Sequence, residues 1–88
     1  MSYEEKYKEL ASDIWSHLHK GPLFSDDDEI REFTGLSGGE RVIHDVCKAI
    51  AEPEHYLMPR LDDICHRLSE VHQKRILAAL SEMFFFRC

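Results

Sequence analysis

The sequence predicts an all-α fold, a compact bundle of about four to five short helices in a single domain over residues 1–88. Apolar residues recur at steps of three and four along most of the chain, which is the spacing of one helical face. Serine and acidic residues stand where helices would begin, and glycine or proline stands where they would end. These signals divide the chain into successive helical segments.

The first predicted helix covers residues 2–20. It ends at Lys20, Gly21 and Pro22, because lysine suits the negative end of the helix dipole, glycine adopts a left-handed conformation and proline cannot continue the hydrogen-bond ladder. One face of this helix is apolar and is expected to pack on the core. That face carries Tyr3, Tyr7, Leu10, Ala11, Ile14 and Leu18.

An acidic segment predicts a second, short helix over residues 26–33. Ser25 or Asp26 can accept hydrogen bonds from the free N–H groups of a first helical turn. The acidic residues that follow suit the positive end of the dipole. A glycine-rich connector then spans residues 34–40 and leads to the next helix.

The third predicted helix covers residues 39–51. Ser37 and Glu40 have the Ser-x-x-Glu spacing of a capping box, in which each side chain bonds to the other residue's backbone N–H. Pro53 ends the helix because its ring would clash with the preceding turn. The apolar face is broad and carries Val42, Ile43, Val46, Cys47 and Ile50.

A loop with a proline at each end, residues 53–59, precedes a helical segment from Pro59 to about Phe85. This segment has two apolar stripes that are slightly out of phase, which predicts a corner near residues 69–71 with Ser69 as the cap of a second helix. One bent helix is the alternative, since neither Gly nor Pro enforces the corner. The stripes are Leu61, Ile64, Cys65 and Leu68, then Ile76, Leu77, Leu80, Met83 and Phe84.

Segments of the second half follow the order helix, short strand, helix, corner, second helix, strand: "ERVIHDVCKAIAE", "YLMP", "RLDDICHRLS", "EVHQKRILAALSEM" and "FFFRC". This order resembles that of a winged helix-turn-helix domain. The resemblance implies that the second helix of the pair lies in the major groove of DNA, with phosphate contacts around it. The groove-facing positions that it implies are His72, Lys74, Arg75 and Ala78.

The distribution of charge favours a protein partner over DNA. The net charge is −6 at pH 7; residues 1–40 carry four Lys and Arg against ten Asp and Glu, and residues 41–88 carry seven of each. Because nonspecific affinity for DNA comes mainly from cations that neutralise phosphates, this balance opposes DNA binding. A helix-turn-helix transcriptional regulator is therefore the alternative hypothesis.

The acidic first half predicts a small non-catalytic protein that binds a protein with a basic surface and inhibits or regulates it. Immunity proteins of nuclease toxins and phage proteins that block host defence complexes resemble the chain in size and charge. For any single acid, a solvated face or a helix cap is the competing explanation. The expected contacts are Asp26, Asp27, Asp28, Glu29 and Glu32, with Trp15 and Phe86 as aromatic anchors.

The phenylalanine run at residues 84–86 cannot be buried as a whole in one core, because consecutive helical side chains point in different directions. One or two of these rings therefore contact a partner, pair with a second copy in a homodimer, or fold back as a tail. Each alternative is consistent with the sequence.

No catalytic, metal or cofactor site is predicted. His44 and Cys47 lie one helical turn apart, but zinc requires about four converging ligands and this is the single local pair. No cysteine stands in a loop or at a helix start that would activate its thiolate.

The sequence predicts a soluble, cytoplasmic protein that does not associate with a membrane. No apolar run approaches the roughly 18 residues of a membrane span, and the first residues lack the basic-then-apolar plan of a signal peptide. Three widely spaced cysteines suit reduced thiols better than a disulfide framework.

Overall fold

Four α-helices form the regular structure of the part of the chain that the computed structural model describes, the backbone of residues 3–86 and the side chains of residues 5–84. They are α1 (Tyr3–Ser16), α2 (Gly38–Ala51), α3 (Leu61–Arg67) and α4 (Glu70–Phe86). The all-α prediction is confirmed. Helix α1 packs against both α2 and α4, and α3 packs against α2.

Helix α2 begins at the predicted capping box. The Glu40 backbone N–H donates to Ser37 Oγ at 3.2 Å, and the Ser37 backbone N–H donates to Glu40 Oε1 at 2.9 Å. These bonds satisfy two N–H groups that the first helical turn leaves without partners. The helix ends at Ala51, before Pro53, as its apolar pattern and the proline indicate.

Helix α1 is shorter than predicted, because it ends at Ser16 and not at Lys20. Beyond Ser16 the backbone closes into tight turns, in which Leu18 N–H donates to the Trp15 carbonyl oxygen at 3.0 Å. His19 then has a φ of 56°, a left-handed conformation that ends a helix. The helix stops one turn earlier than the glycine and proline signals suggest.

The predicted helix over residues 26–33 is wrong, since this segment forms a tight turn between two extended pieces. Phe24 and Ile30 make an antiparallel bridge, and the Ser25 backbone N–H donates to the Glu29 carbonyl oxygen at 2.8 Å. Asp28 has a φ of 64°. Aspartate tolerates this left-handed conformation, and its short polar side chain favours turns over helix interiors. The aspartate-rich sequence therefore acts as a turn signal here.

A corner separates α3 from α4, so the alternative of one bent helix is wrong. Leu68 is extended, with φ −111° and ψ 144°, and it is buried in the core. Gln73 Nε2 donates to the Leu68 carbonyl oxygen at 2.9 Å and to the Cys65 carbonyl oxygen at 3.3 Å. These bonds satisfy carbonyl groups that the end of α3 leaves without helical partners. A side chain of α4 therefore stabilises the corner.

Helix α3 is less buried than its predicted apolar stripe suggests. Leu61 and Cys65 are exposed, and Ile64 packs partly buried against the core. The loop before α3 also exposes apolar side chains, and Leu57 within it is 92% exposed. This end of the molecule contributes little to the core.

The core lies between α1 and α2 and is closed by the segment that follows α1. Trp15 is completely buried, with its ring centroid 4.9 Å from that of Phe33 and 5.2 Å from that of His44. His44 is also buried, and its Nε2 lies 2.9 Å from the Arg31 carbonyl oxygen, to which it donates. This bond ties α2 to the segment after α1. The other fully buried large side chains are Val46, Cys47 and Ile50.

Within the described residues, no helix combines the length and the apolar character needed to cross a bilayer.

Candidate functional site

An open groove of about 640 Å³ runs between the outer face of α1 and the turn over residues 24–28. We call it the acidic groove, because four of the side chains that line it are carboxylates and one is an ammonium group. Its lining residues are Glu5, Lys8, Glu9, Ser12, Asp13, Ser16, Phe24 and Asp28.

The α1 wall of the groove follows from helical periodicity. Glu5, Glu9 and Asp13 recur every four residues and therefore lie on one face of the helix. The opposite face is buried at Tyr7 and Ala11. One apolar face thus fixes α1 on the core and leaves the row of acids facing solvent.

One ion pair joins the second wall to α1. Lys8 Nζ lies 2.7 Å from Asp28 Oδ2, although the two residues are 20 positions apart. Lys8 Nζ also lies 5.7 Å from the centre of the Phe24 ring, within the range of a cation–π contact. Lys8 thereby joins both ends of the turn to the helix, and the acids of two segments meet in one place.

The other acids predicted as contacts lie near the groove but do not line it. Asp26, Asp27 and Glu29 are exposed in the same turn as Asp28, and Glu32 is exposed just after the turn. The Glu29 backbone N–H donates to Ser25 Oγ at 3.4 Å. Asp26, Asp27 and Glu29 add negative charge next to Asp28 without forming the walls of the groove.

One of the two predicted aromatic anchors lies in the core, and the side chain of the other is not among those that the structure describes. Trp15 is completely buried against Phe33 and His44, so its ring is part of the core and we leave it out of the proposed surface. The side chain of Phe86 lies outside the described residues. The aromatic residue that lines the groove is Phe24, and its place beside the acidic segment is the only sequence signal that points to it.

The residues implied by the helix-turn-helix resemblance lie on the first turns of α4. Lys74 and Ala78 are exposed, while His72 and Arg75 are partly buried. Lys74 Nζ lies 2.9 Å from Glu70 Oε1, so its charge is balanced within the helix. On α3, the nearby cations are balanced in the same way: Arg67 pairs with Asp63 at 3.7 Å, and Arg60 pairs with Asp62 at 3.4 Å.

The cysteines differ in chemistry because they differ in burial. Cys47 is buried, and burial raises the pKa of its thiol to about 12, so the thiolate needed for nucleophilic attack or metal binding is disfavoured. Cys65 is exposed on α3, contrary to the prediction from its apolar stripe. Among the described side chains, no three His, Cys, Asp or Glu residues are grouped to hold a metal ion.

No protein-family model, curated protein or solved structure matches the chain.

Proposed function

We propose that this protein is a small non-catalytic binding protein that recognises a basic protein surface through the acidic groove and inhibits or regulates its partner. The observation that carries the proposal is the contact between Lys8 and Asp28, which places the acidic turn beside the acids of α1. The acids of α1 and of the turn all lie in the first half of the sequence, and four of them line one concave surface.

The groove favours lysine or arginine side chains for two physical reasons. Its carboxylates are exposed to water in the free protein, and the groove is open, so they keep much of their hydration when a partner binds. The desolvation cost of pairing them with a partner's cations is therefore small. Phe24, a partly buried residue of the second wall, offers apolar surface to the aliphatic stem of such a side chain. Clustered negative charge also raises the rate of encounter with a positive surface, and salt screens this attraction over about 10 Å.

We also propose that the protein acts in the cytoplasm. Cys65 is an exposed free thiol, and such thiols persist where the compartment keeps cysteines reduced.

A fluorescent deca-arginine peptide tests the groove by anisotropy titration. In the variant Glu5→Gln, Glu9→Gln and Asp13→Asn, we expect the affinity to fall by about ten-fold or more at low salt, because three groove charges are removed. The matched control, Asp45→Asn, Glu54→Gln and Asp62→Asn, removes as many charges outside the groove lining. It should lower the affinity less.

Equal losses in the two variants would contradict the proposal, because they would show that net charge alone governs peptide binding. A smaller dependence of affinity on salt in the groove variant than in the control would support it, since fewer ion contacts would remain to be screened.

DNA binding is the second candidate function, and the corner at Leu68 is the observation that favours it. A two-helix unit with a corner is the arrangement by which helix-turn-helix proteins present a helix to the major groove. This function predicts binding of a labelled DNA duplex with a steep dependence on salt, weakened by Arg75→Ala. The absence of any shifted duplex in a gel at low salt would exclude it.

A further inference from the structure

Helix α4 carries large apolar side chains away from the core as well as towards it. Ile76 and Ala79 are buried, whereas Leu77 is 64% exposed and Phe84 is 69% exposed. Leu77 and Phe84 are seven residues apart and lie along one side of the helix. Large exposed side chains in a row typically belong to an interaction surface.

We propose that the outer face of α4 binds the same face of a second copy of this chain, with the two helices antiparallel. The proposal does not rest on the acidic groove, since none of the residues lining the groove belongs to α4. The sizes, charges and exposed apolar surface of the side chains along α4 support it.

Small residues stand at the centre of this face. Ala78 is exposed and Ser81, one turn later, is partly buried. Small side chains allow two helix backbones to approach closely, and a two-fold axis between these positions makes the contact isologous, with one surface used twice.

Arg75 and Glu82 lie on one flank of this face, and their charges are complementary in the antiparallel arrangement. Arg75 of one copy lies opposite the partner's Glu82, with an offset of about 3 Å along the helix axis at 1.5 Å per residue. The two-fold axis repeats the pair. Among the described side chains, those of residues 5–84, neither Arg75 nor Glu82 forms an ion pair, so both charges are available for the contact.

Leu77 and Phe84 lie on the other flank, which is apolar and meets the same flank of the second copy. Leu77 lies opposite the partner's Phe84, again with an offset of about 3 Å, and the axis repeats this contact too. The two flanks of the face therefore match themselves, one in charge and the other in apolar character. A DNA groove would instead leave Leu77 and Phe84 beside phosphates, and this is why the observations favour a second copy.

Sedimentation equilibrium of the full chain over a range of concentrations tests the proposal. We expect a reversible dimer, and we expect Arg75→Glu and Glu82→Arg each to weaken dimerisation by about ten-fold, because each creates two repulsive pairs. The double variant Arg75→Glu with Glu82→Arg exchanges the charges and should restore the affinity to within about two-fold. Neither residue has Asp, Glu, Lys or Arg at three or four positions away in α4, so the exchange leaves the charge pairs within the helix unchanged.

A matched pair of leucine variants tests the apolar flank. Leu77→Asp should abolish dimerisation, whereas Leu57→Asp, at a more exposed leucine in the loop before α3, should leave it unchanged. A monomer at every concentration up to about 1 mM would overturn the proposal. So would a charge exchange that fails to restore dimerisation, or an equal loss in both leucine variants. If the monomer binds duplex DNA and Arg75→Glu prevents this, the outer face of α4 binds DNA and not a second copy of the chain.

Discussion

Lys8 and Asp28 hold the two walls of the acidic groove together through a contact of 2.7 Å. The ammonium group is the single cation among the lining side chains, and its partner carboxylate is in the turn that the sequence alone would place in a helix. The pair joins a basic residue of α1 to the turn, while its neighbours Glu5 and Glu9 remain on the lining.

The left-handed conformation of Asp28 predicts a specific order of stability among its variants. Asp28→Val should lower the free energy of unfolding by about 1–2 kcal/mol relative to Asp28→Gly, because both remove the ion pair but only valine is strained at a φ of 64°. Asp28→Asn should be close to the glycine variant, since asparagine tolerates this conformation. Urea unfolding measures the differences. Equal stability of the valine and glycine variants would show that the turn stores no strain.

The two glycines at the start of α2 should respond differently to alanine. A Cβ at Gly39 would lie 2.9 Å from the Arg67 carbonyl oxygen, a backbone atom, so α2 and α3 must move apart. We expect Gly39→Ala to cost about 1–3 kcal/mol. At Gly38 the Cβ would meet the flexible end of the Arg67 side chain at 2.8 Å.

Gly38→Ala is therefore the matched control. The guanidinium group can rotate away, and alanine stabilises helical positions relative to glycine by up to about 1 kcal/mol. Thermal unfolding should show a lower midpoint for Gly39→Ala and an unchanged or higher midpoint for Gly38→Ala. The reverse order would contradict the packing of α2 on α3.

The capping box predicts a pH dependence of stability. The hydrogen bond from the Ser37 backbone N–H, followed by the contact with Lys20, lowers the pKa of Glu40 below its ordinary value of 4.5. Its stabilising contribution is therefore present above about pH 4.5 and is lost as the pH falls through the lowered pKa. Urea midpoints should fall more steeply on acidification for the wild type than for Glu40→Gln. Parallel curves would contradict this role of the carboxylate.

The fluorescence of Trp15 should be that of a buried core residue and not that of a residue on the surface that binds the partner. It is the single tryptophan of the chain and is completely buried, so its fluorescence should be quenched much less by acrylamide than that of free tryptophan. Trp15→Ala should cost about 3–5 kcal/mol, as is usual when a large core side chain is removed. Strong quenching in the folded protein would mean that the indole reaches the surface.

The parts of the fold that the sequence predicts well are those with short-range causes. Ser37, Glu40 and Pro53 act within a few residues of themselves, and together they mark both ends of α2. The phase difference between apolar stripes correctly indicates a corner near Ser69, although Gln73, which bonds across that corner, has no recognisable signal of its own.

The parts that the sequence predicts poorly depend on contacts between distant residues or on competing local preferences. Acids after a serine suit a helix start and also a turn, and the burial of Leu23 with the bridge from Phe24 to Ile30 decides in favour of the turn. The groove needs Lys8 to meet Asp28 across the turn, which periodicity cannot indicate. The regular spacing of Glu5, Glu9 and Asp13 was the available signal for its first wall.

Amide chemical shifts of the ¹⁵N-labelled protein, titrated with the deca-arginine peptide at about 50 mM salt, identify the residues that bind the peptide. If the acidic groove is the binding surface, the shifts change in residues 5–16 and 24–29, on its two walls, and those of Asp45, Glu54 and Asp62 change little. Changes spread evenly over all exposed acids, or centred on α4, would contradict it.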